Sequence, residues 1–237
     1  MRNMLKVEKY KFSHSCILWV IIGVLFAFCC ISIMTGVYNS AEHALLNISK
    51  DIAVPLLGCS VYSAIIVLDD FSNGLLQHYI ASGYERTSIL CAKFIHYIFG
   101  CSILLLIYPL LCISFTAIMR GIETSVAFVL WRYILIYLKS LPLYWGIMGL
   151  FFLVSILLQN AAIAIAVSVA ASLFLGVFPN RLYANGLYIL KYSPMIQLNE
   201  AATNLISDEY LIAVIIALLL LGACFSGGIV KFRRDQY

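Results

Sequence analysis

Residues 211–230 read LIAVIIALLLLGACFSGGIV, twenty positions without a charge, and KFRRDQY follows at once. Wound as a helix at 1.5 Å per residue, such a run is about 30 Å long, which matches the hydrocarbon core of a bilayer. It has no polar face, so it does not read as the surface helix of a soluble domain. The rest of the chain supports a membrane reading. Of its 237 residues, 63% are hydrophobic and 11% charged, whereas a soluble domain carries roughly 25% charged residues.

Further apolar runs precede this one, and together they predict an all-α membrane protein with six transmembrane helices, at 16–38, 52–68, 94–119, 141–158, 161–178 and 211–230. The basic N-terminal stretch leads into an apolar run too long for the 7–15-residue core of a signal peptide, and no A-x-A site follows it. It is expected to stay as the first span. The second span carries Pro55 and Gly58 and ends at Asp69 and Asp70, and Pro109 is expected to kink the third. A short polar turn (Asn39, Ser40, Glu42, His43, Lys50, Asp51) joins the first two. The stretch from Ser125 to Leu158 is too long for one perpendicular crossing, and Lys139 and Pro142 divide it. The expected solution is an outer interfacial helix marked by Trp131, Arg132 and Tyr133, then a span from Leu141. One long tilted helix is the alternative. Residues 179–210 form an outer loop, and the chain is one transmembrane domain throughout.

Charge sets the expected orientation. With six spans, one side holds Arg2, Lys6, Lys9, Lys11, Arg86, Lys93, Lys231, Arg233 and Arg234, and the other holds Lys50, Arg120, Arg132, Lys139, Arg181 and Lys191. Nine cations against six place both termini in the cytoplasm, with the chain in the plasma membrane. The net charge of +4 is spread along the flanks of apolar runs, so no nucleic-acid partner is expected. Eight cysteines occur in or beside those runs with no C-x-x-C pair. They read as small apolar side chains, neither a zinc site nor a disulfide framework.

The segment with most to say about function is 69–93, DDFSNGLLQHYIASGYERTSILCAK. Phe71, Leu75, Leu76, Tyr79 and Ile80 recur at helical spacing, with Asn73, Gln77 and His78 opposite. Ser82-Gly83-Tyr84-Glu85 fits a capping box that restarts a helix into the third span. Pattern alone leaves two readings open, a loop helix anchored to lipid headgroups and a docking helix for a cytoplasmic partner.

The run Asn73-Gly74-Leu75, Ala81-Ser82-Gly83-Tyr84-Glu85-Arg86 and Lys93 resembles the cytoplasmic loop of type-2 ABC exporter permeases. The likeness extends loosely to the basic start at 1–15, the six spans and Tyr192-Ser193-Pro194 in the outer loop. One departure is Asp69, Asp70 and Phe71-Ser72 where such loops often place Glu before the Gly. The resemblance implies that a separate ATP-binding cassette subunit grips Phe71, Gly74, Leu75, Leu76, Tyr79, Ile80, Gly83 and Arg86. Met4–Phe12 would then be an interfacial elbow helix. No G-x-x-x-x-G-K-[ST] phosphate loop occurs in the sequence. The chain is therefore expected to hold no cofactor and no metal, with ATP on the partner. By resemblance, the cargo is an amphipathic or antimicrobial peptide or a similar hydrophobic molecule.

In the fifth span Ala164, Ser168, Ser172 and Gly176 make a small-residue stripe, and Ala162, Ala166 and Ala170 make another. Small residues let helix backbones approach closely in lipid. The stripes fit packing within the chain, and the resemblance adds contact with a second copy or a paralogous permease. Lys139 is the one charge positioned to fall inside the membrane, and it is within snorkelling reach of the surface. Two rival classes are the substrate-binding membrane subunit of a vitamin importer and an intramembrane enzyme. Against the enzyme, His14, His43, His78 and His96 are scattered and no H-E-x-x-H or G-x-S-x-G occurs.

Overall fold

In a computed structural model the chain is a helical bundle, described over residues 2–14, 16–36, 38, 40–50, 53–72, 75–122, 125–158, 160–200 and 208–234. The helices are α1 (Arg2–His14), α2 (Ile17–Met34), α3 (Ala41–Lys50), α4 (Ala53–Ser72), α5 (Leu75–Ala81), α6 (Arg86–Arg120), α7 (Val126–Leu158), α8 (Ala161–Ala184), α9 (Pro194–Glu200) and α10 (Asp208–Arg234). A 3-10 turn over Tyr188–Tyr192 precedes α9. Among the described residues there is no strand. Helices α2, α6, α7, α8 and α10 are each long and apolar enough to cross a bilayer. A sixth crossing results if α3 and α4, bent by 56° at their junction, count as one broken span. The chain is thus built as a multi-pass membrane protein.

Helix α4 sits centrally, packed on α2, α6, α7 and α8. Its Ser63 finds a partner inside the bundle, as lipid contact demands: the hydroxyls of Ser63 and Ser155 of α7 lie 3.0 Å apart. The tightest approach joins α7 to α10. A Cβ at Gly146 would lie 2.7 Å from the Cα of Ala217 and 2.7 Å from its carbonyl oxygen. Only glycine lets these two backbones meet there. The pairing continues along α10, where Gly228 faces Ile156 and Leu90. Phe94 and Phe225 stack with centroids 4.6 Å apart. The basic end of α10 therefore lies beside the first turns of α6, which also carry α1.

The predicted outer interfacial helix followed by a span from Leu141 is instead the single helix α7, with Lys139 and Pro142 inside it. It runs antiparallel to α6. The Tyr133 hydroxyl donates to the Leu106 carbonyl, Tyr137 donates to the Ser102 carbonyl at 3.0 Å, and Phe152 meets Phe94 at 4.9 Å. These contacts down one side hold α7 continuous past its proline. At about 50 Å it is longer than the bilayer core is thick.

The predicted polar turn after the first span is also a helix. In α3, Ala41, Ala44, Leu45 and Ile48 are buried: Ala41 and Leu45 cluster with Ile113, Val129, Tyr133 and Ile136, and Ala44 and Ile48 join the main core. The stretch predicted as a loop is likewise structured over its described residues up to Glu200. Pro194–Leu198 of α9 are buried, and the Gln197 amide donates to the Lys191 carbonyl at 3.0 Å. Lys191 in turn donates to Glu209 at 2.9 Å, and that bond and charge hold its ammonium above the ordinary lysine range.

Candidate functional site

Three short pieces meet at the end of the bundle where α4 finishes and α6 begins: α1, α5 and the turn between α5 and α6. Helix α1 lies along α6 because Met4, Glu8 and Phe12 fall on one face at four-residue spacing. Met4 is fully buried, and Phe12 meets His96 edge to face at 5.1 Å. Between them Glu8 is only 3% exposed, and it faces Lys93, 2% exposed, at 3.9 Å. Lys11 is also 3.9 Å from the same carboxylate oxygen. Lys93 donates to the Ile66 carbonyl at 3.1 Å, so this one ammonium joins α1, α4 and α6. A charge so buried is retained only when paired.

The predicted docking helix over Phe71–Ala81 is divided. Phe71 belongs to the last turn of α4, Gly74 lies outside the described residues, and α5 begins at Leu75. On α5, Leu75, Tyr79 and Ile80 are half-buried and Gln77 and His78 exposed, while the surroundings of the Leu76 side chain lie outside what is described. Tyr79 and Ile80 pack toward the chain's own core. The Lys11 ammonium sits 5.3 Å from the Tyr79 ring centroid, tying α1 to α5.

The turn after α5 differs from the predicted capping box. Gly83 adopts φ +83°. Its amide bonds to the Ile80 carbonyl at 3.0 Å, and the Tyr84 amide to the Tyr79 carbonyl at 3.1 Å. This is the Schellman pattern of a glycine-terminated helix. Ser82 therefore belongs to the end of α5, where its hydroxyl donates back to the His78 carbonyl at 2.8 Å. The N-cap of α6 is Glu85, which makes no side-chain capping bond. Arg86 is the first residue of α6 and half-buried.

The first small-residue stripe of α8 is occupied within the chain. Ala164, Ser168 and Ser172 are buried, Ser168 donates to the Ser60 carbonyl at 3.4 Å, and a Cβ at Gly176 would lie 2.9 Å from that of Ala53. The second stripe, Ala162, Ala166 and Ala170, is exposed. Reading the sequence missed the Glu8–Lys93 pair. Its one signal was an acid on an otherwise apolar face of α1. Among the described residues no cluster of His, Cys, Asp and Glu is placed to hold a metal ion. All eight cysteines are free thiols. No protein-family model matches the chain, and no curated protein matches it.

Proposed function

We propose that this chain is the membrane permease subunit of an ATP-driven ABC exporter, with both termini cytoplasmic in the plasma membrane. The observation that carries the reading is α5: a separate short helix, closed by a glycine turn, set between two long apolar helices and showing Gln77 and His78 outward. A partner ATPase would grip that face, and movement would pass into α6 through the turn at Gly83. The basic ends of α1 and α10 lie at this same end of the bundle, which agrees with cytoplasmic termini under the positive-inside rule. Contact with a second permease would use the exposed face of α8 that carries Ala162, Ala166 and Ala170, since the other stripe is filled by α4. The cargo that fits is an amphipathic or antimicrobial peptide or a similar hydrophobic molecule.

The test is co-purification with an ATP-binding cassette ATPase in detergent, where headgroup anchoring no longer matters. His78→Asp together with Ala81→Glu changes only exposed positions, so the permease should elute as wild type while ATPase capture and ATP-dependent export are lost. Capture at wild-type levels by this double variant would remove α5 as the docking element. ATP hydrolysis by the chain when shown free of any other ATPase would overturn the reading altogether.

A further inference from the structure

Met4, Glu8 and Phe12 turn one face of α1 to the bundle, where Lys93 and Lys11 already engage the Glu8 carboxylate. A little further round the same helix lie Leu5 and Lys9, at four-residue spacing. Between this stripe and α6 runs a groove of about 430 Å³, bordered by Leu5, Lys9 and Phe12 on α1 and by Ile95 and Phe99 on α6. Ile95 is 46% and Phe99 59% exposed, so the groove opens away from the bundle. The two helices run in the same direction here, since Glu8 meets Lys93 and Phe12 meets His96. Phe12 and Phe99, with centroids 5.8 Å apart, therefore mark the deeper end. Past them the exposed face of α6 continues through Leu106 and Leu110. From Ile95 to Leu110 that stripe is about 22 Å long at helical rise, more than the ~15 Å depth of one leaflet.

The shallow end is cationic. Lys6 and Lys9 are both exposed, and at i, i+3 spacing they are neighbours on the helix surface. Among the described residues neither ammonium has an ion-pair or hydrogen-bond partner. Glu8 also borders the groove, but its charge is met by Lys93 from the bundle side. The groove thus offers two unmatched cations at its mouth and apolar walls along its depth, the pattern of an anionic amphiphile.

We propose that this groove is a site for one anionic phospholipid of the surrounding bilayer. Its phosphate lies between Lys6 and Lys9, and one acyl chain passes Phe12 and Phe99 and continues along Leu106. A lysine binds phosphate as a point charge, so two of them favour a headgroup of net negative charge. In phosphatidylcholine and phosphatidylethanolamine the headgroup amine cancels the phosphate within the same molecule. A lipid bound here covers the open side of α1 and holds that helix on α6. The site stands whether or not the chain works with an ATPase.

The experiment is native mass spectrometry of the full chain in detergent, titrated separately with dioleoyl phosphatidylglycerol, phosphatidylcholine and phosphatidylethanolamine. Expected is one phosphatidylglycerol per chain, held at least fivefold tighter than either of the others. Lys6→Gln together with Lys9→Gln should remove that preference, each lysine being worth about fivefold beside an anionic headgroup. Both positions are exposed, so this variant should elute as wild type. Arg233→Gln with Arg234→Gln, at exposed positions on the basic end of α10, is the control and should keep the preference. Ile95→Trp fills the groove and should lower phosphatidylglycerol occupancy at least fivefold with both lysines intact. Equal binding of the three lipids, or a preference that survives the double lysine variant, would overturn the proposal. So would an equal loss in the arginine control, which is diffuse attraction to the basic end of the chain, or full occupancy in folded Ile95→Trp. Displacement by glycerophosphoglycerol as effective as by the intact lipid would also overturn it, because the site would then take a phosphate without an acyl chain.

Discussion

Replacing Gly146 by alanine asks α7 and α10 to accept a methyl where their backbones already touch. The new Cβ would stand 2.7 Å from the Cα, Cβ and carbonyl oxygen of Ala217, against the 3.4 Å at which ordinary contact begins, a shortfall of 0.7 Å. Two of the three obstructing atoms are backbone, so no rotamer change relieves the clash, and one helix must move. Any movement loosens neighbouring contacts along the same seam, where Gly149 meets Leu221 and Gly228 meets Ile156. Overpacking of this kind costs about 1–3 kcal/mol. For a chain of this size that corresponds to a lowering of the thermal midpoint by roughly 2–12 °C. Gly222→Ala, on the same helix α10, is the control, because a Cβ there meets nothing within 4 Å. The assay is the loss of monodisperse protein on heating in detergent, followed by fluorescence-detected size exclusion at a fixed scan rate, since such midpoints are operational. Gly146→Ala should fall measurably and Gly222→Ala should not. A Gly146→Ala midpoint within a degree of wild type, or an equal fall for both, would refute the close approach of α7 and α10.

Lys93→Met should lower stability by about 3–5 kcal/mol, because Glu8 keeps a buried charge without its main partner. The double variant Glu8→Leu/Lys93→Met should regain most of that loss in the same heating assay, and no recovery would mean the pair is not coupled. Lys11→Gln should change stability by less than about 1 kcal/mol, since its side chain is 29% exposed. Ser63→Ala should cost only about 0.6 kcal/mol, the usual worth of a hydrogen bond between membrane helices, and a fall of several degrees would assign Ser63 a larger role. A cysteine placed after Tyr237 should react with an impermeant maleimide only in broken cells or inverted vesicles, and labelling of intact cells would reverse the proposed orientation.

The long apolar helices were legible because lipid imposes a one-dimensional rule, no polar face and a length near the bilayer core, whereas the predicted second span at 52–68 makes a crossing only if α3 and α4 count as one broken span. Residues 211–230 needed no knowledge of their neighbours. Where partners decide, the sequence misled. Glu42, His43 and Lys50 made 39–51 read as a polar turn, although Ala41, Ala44, Leu45 and Ile48 already had the spacing of a helix face. Lys139 and Pro142 read as a boundary because proline normally ends a helix, yet α6 supports α7 on both sides of it. Ser82 fitted a capping box by type and spacing, but Gly83 at φ +83° closed α5 first and moved the N-cap to Glu85. Glu8 and Lys93 are far apart in the chain, and their meeting depends on how α1 lies on α6. No local pattern carries that information.

The same geometry bears on how motion at α5 would reach the membrane. If a partner draws on α5, two routes lead into α6. One is the short turn from Ser82 to Glu85, whose two amide bonds back onto Tyr79 and Ile80 leave little slack. The other passes from Tyr79 to Lys11, through Glu8, to Lys93. Both end on the first two turns of α6, and Lys93 also holds the Ile66 carbonyl of α4. A pull on α5 would thus act on the helices that carry Tyr62 and His96, whose polar atoms lie 3.4 Å apart. Displacing α1 from α6 would separate Glu8 from Lys93, so a partner drawing on α5 would act through that pair. Because Lys93 bridges three helices while Lys11 links only Tyr79 to Glu8, both Lys93→Met and Lys11→Gln should weaken the response to such a partner, Lys93→Met the more.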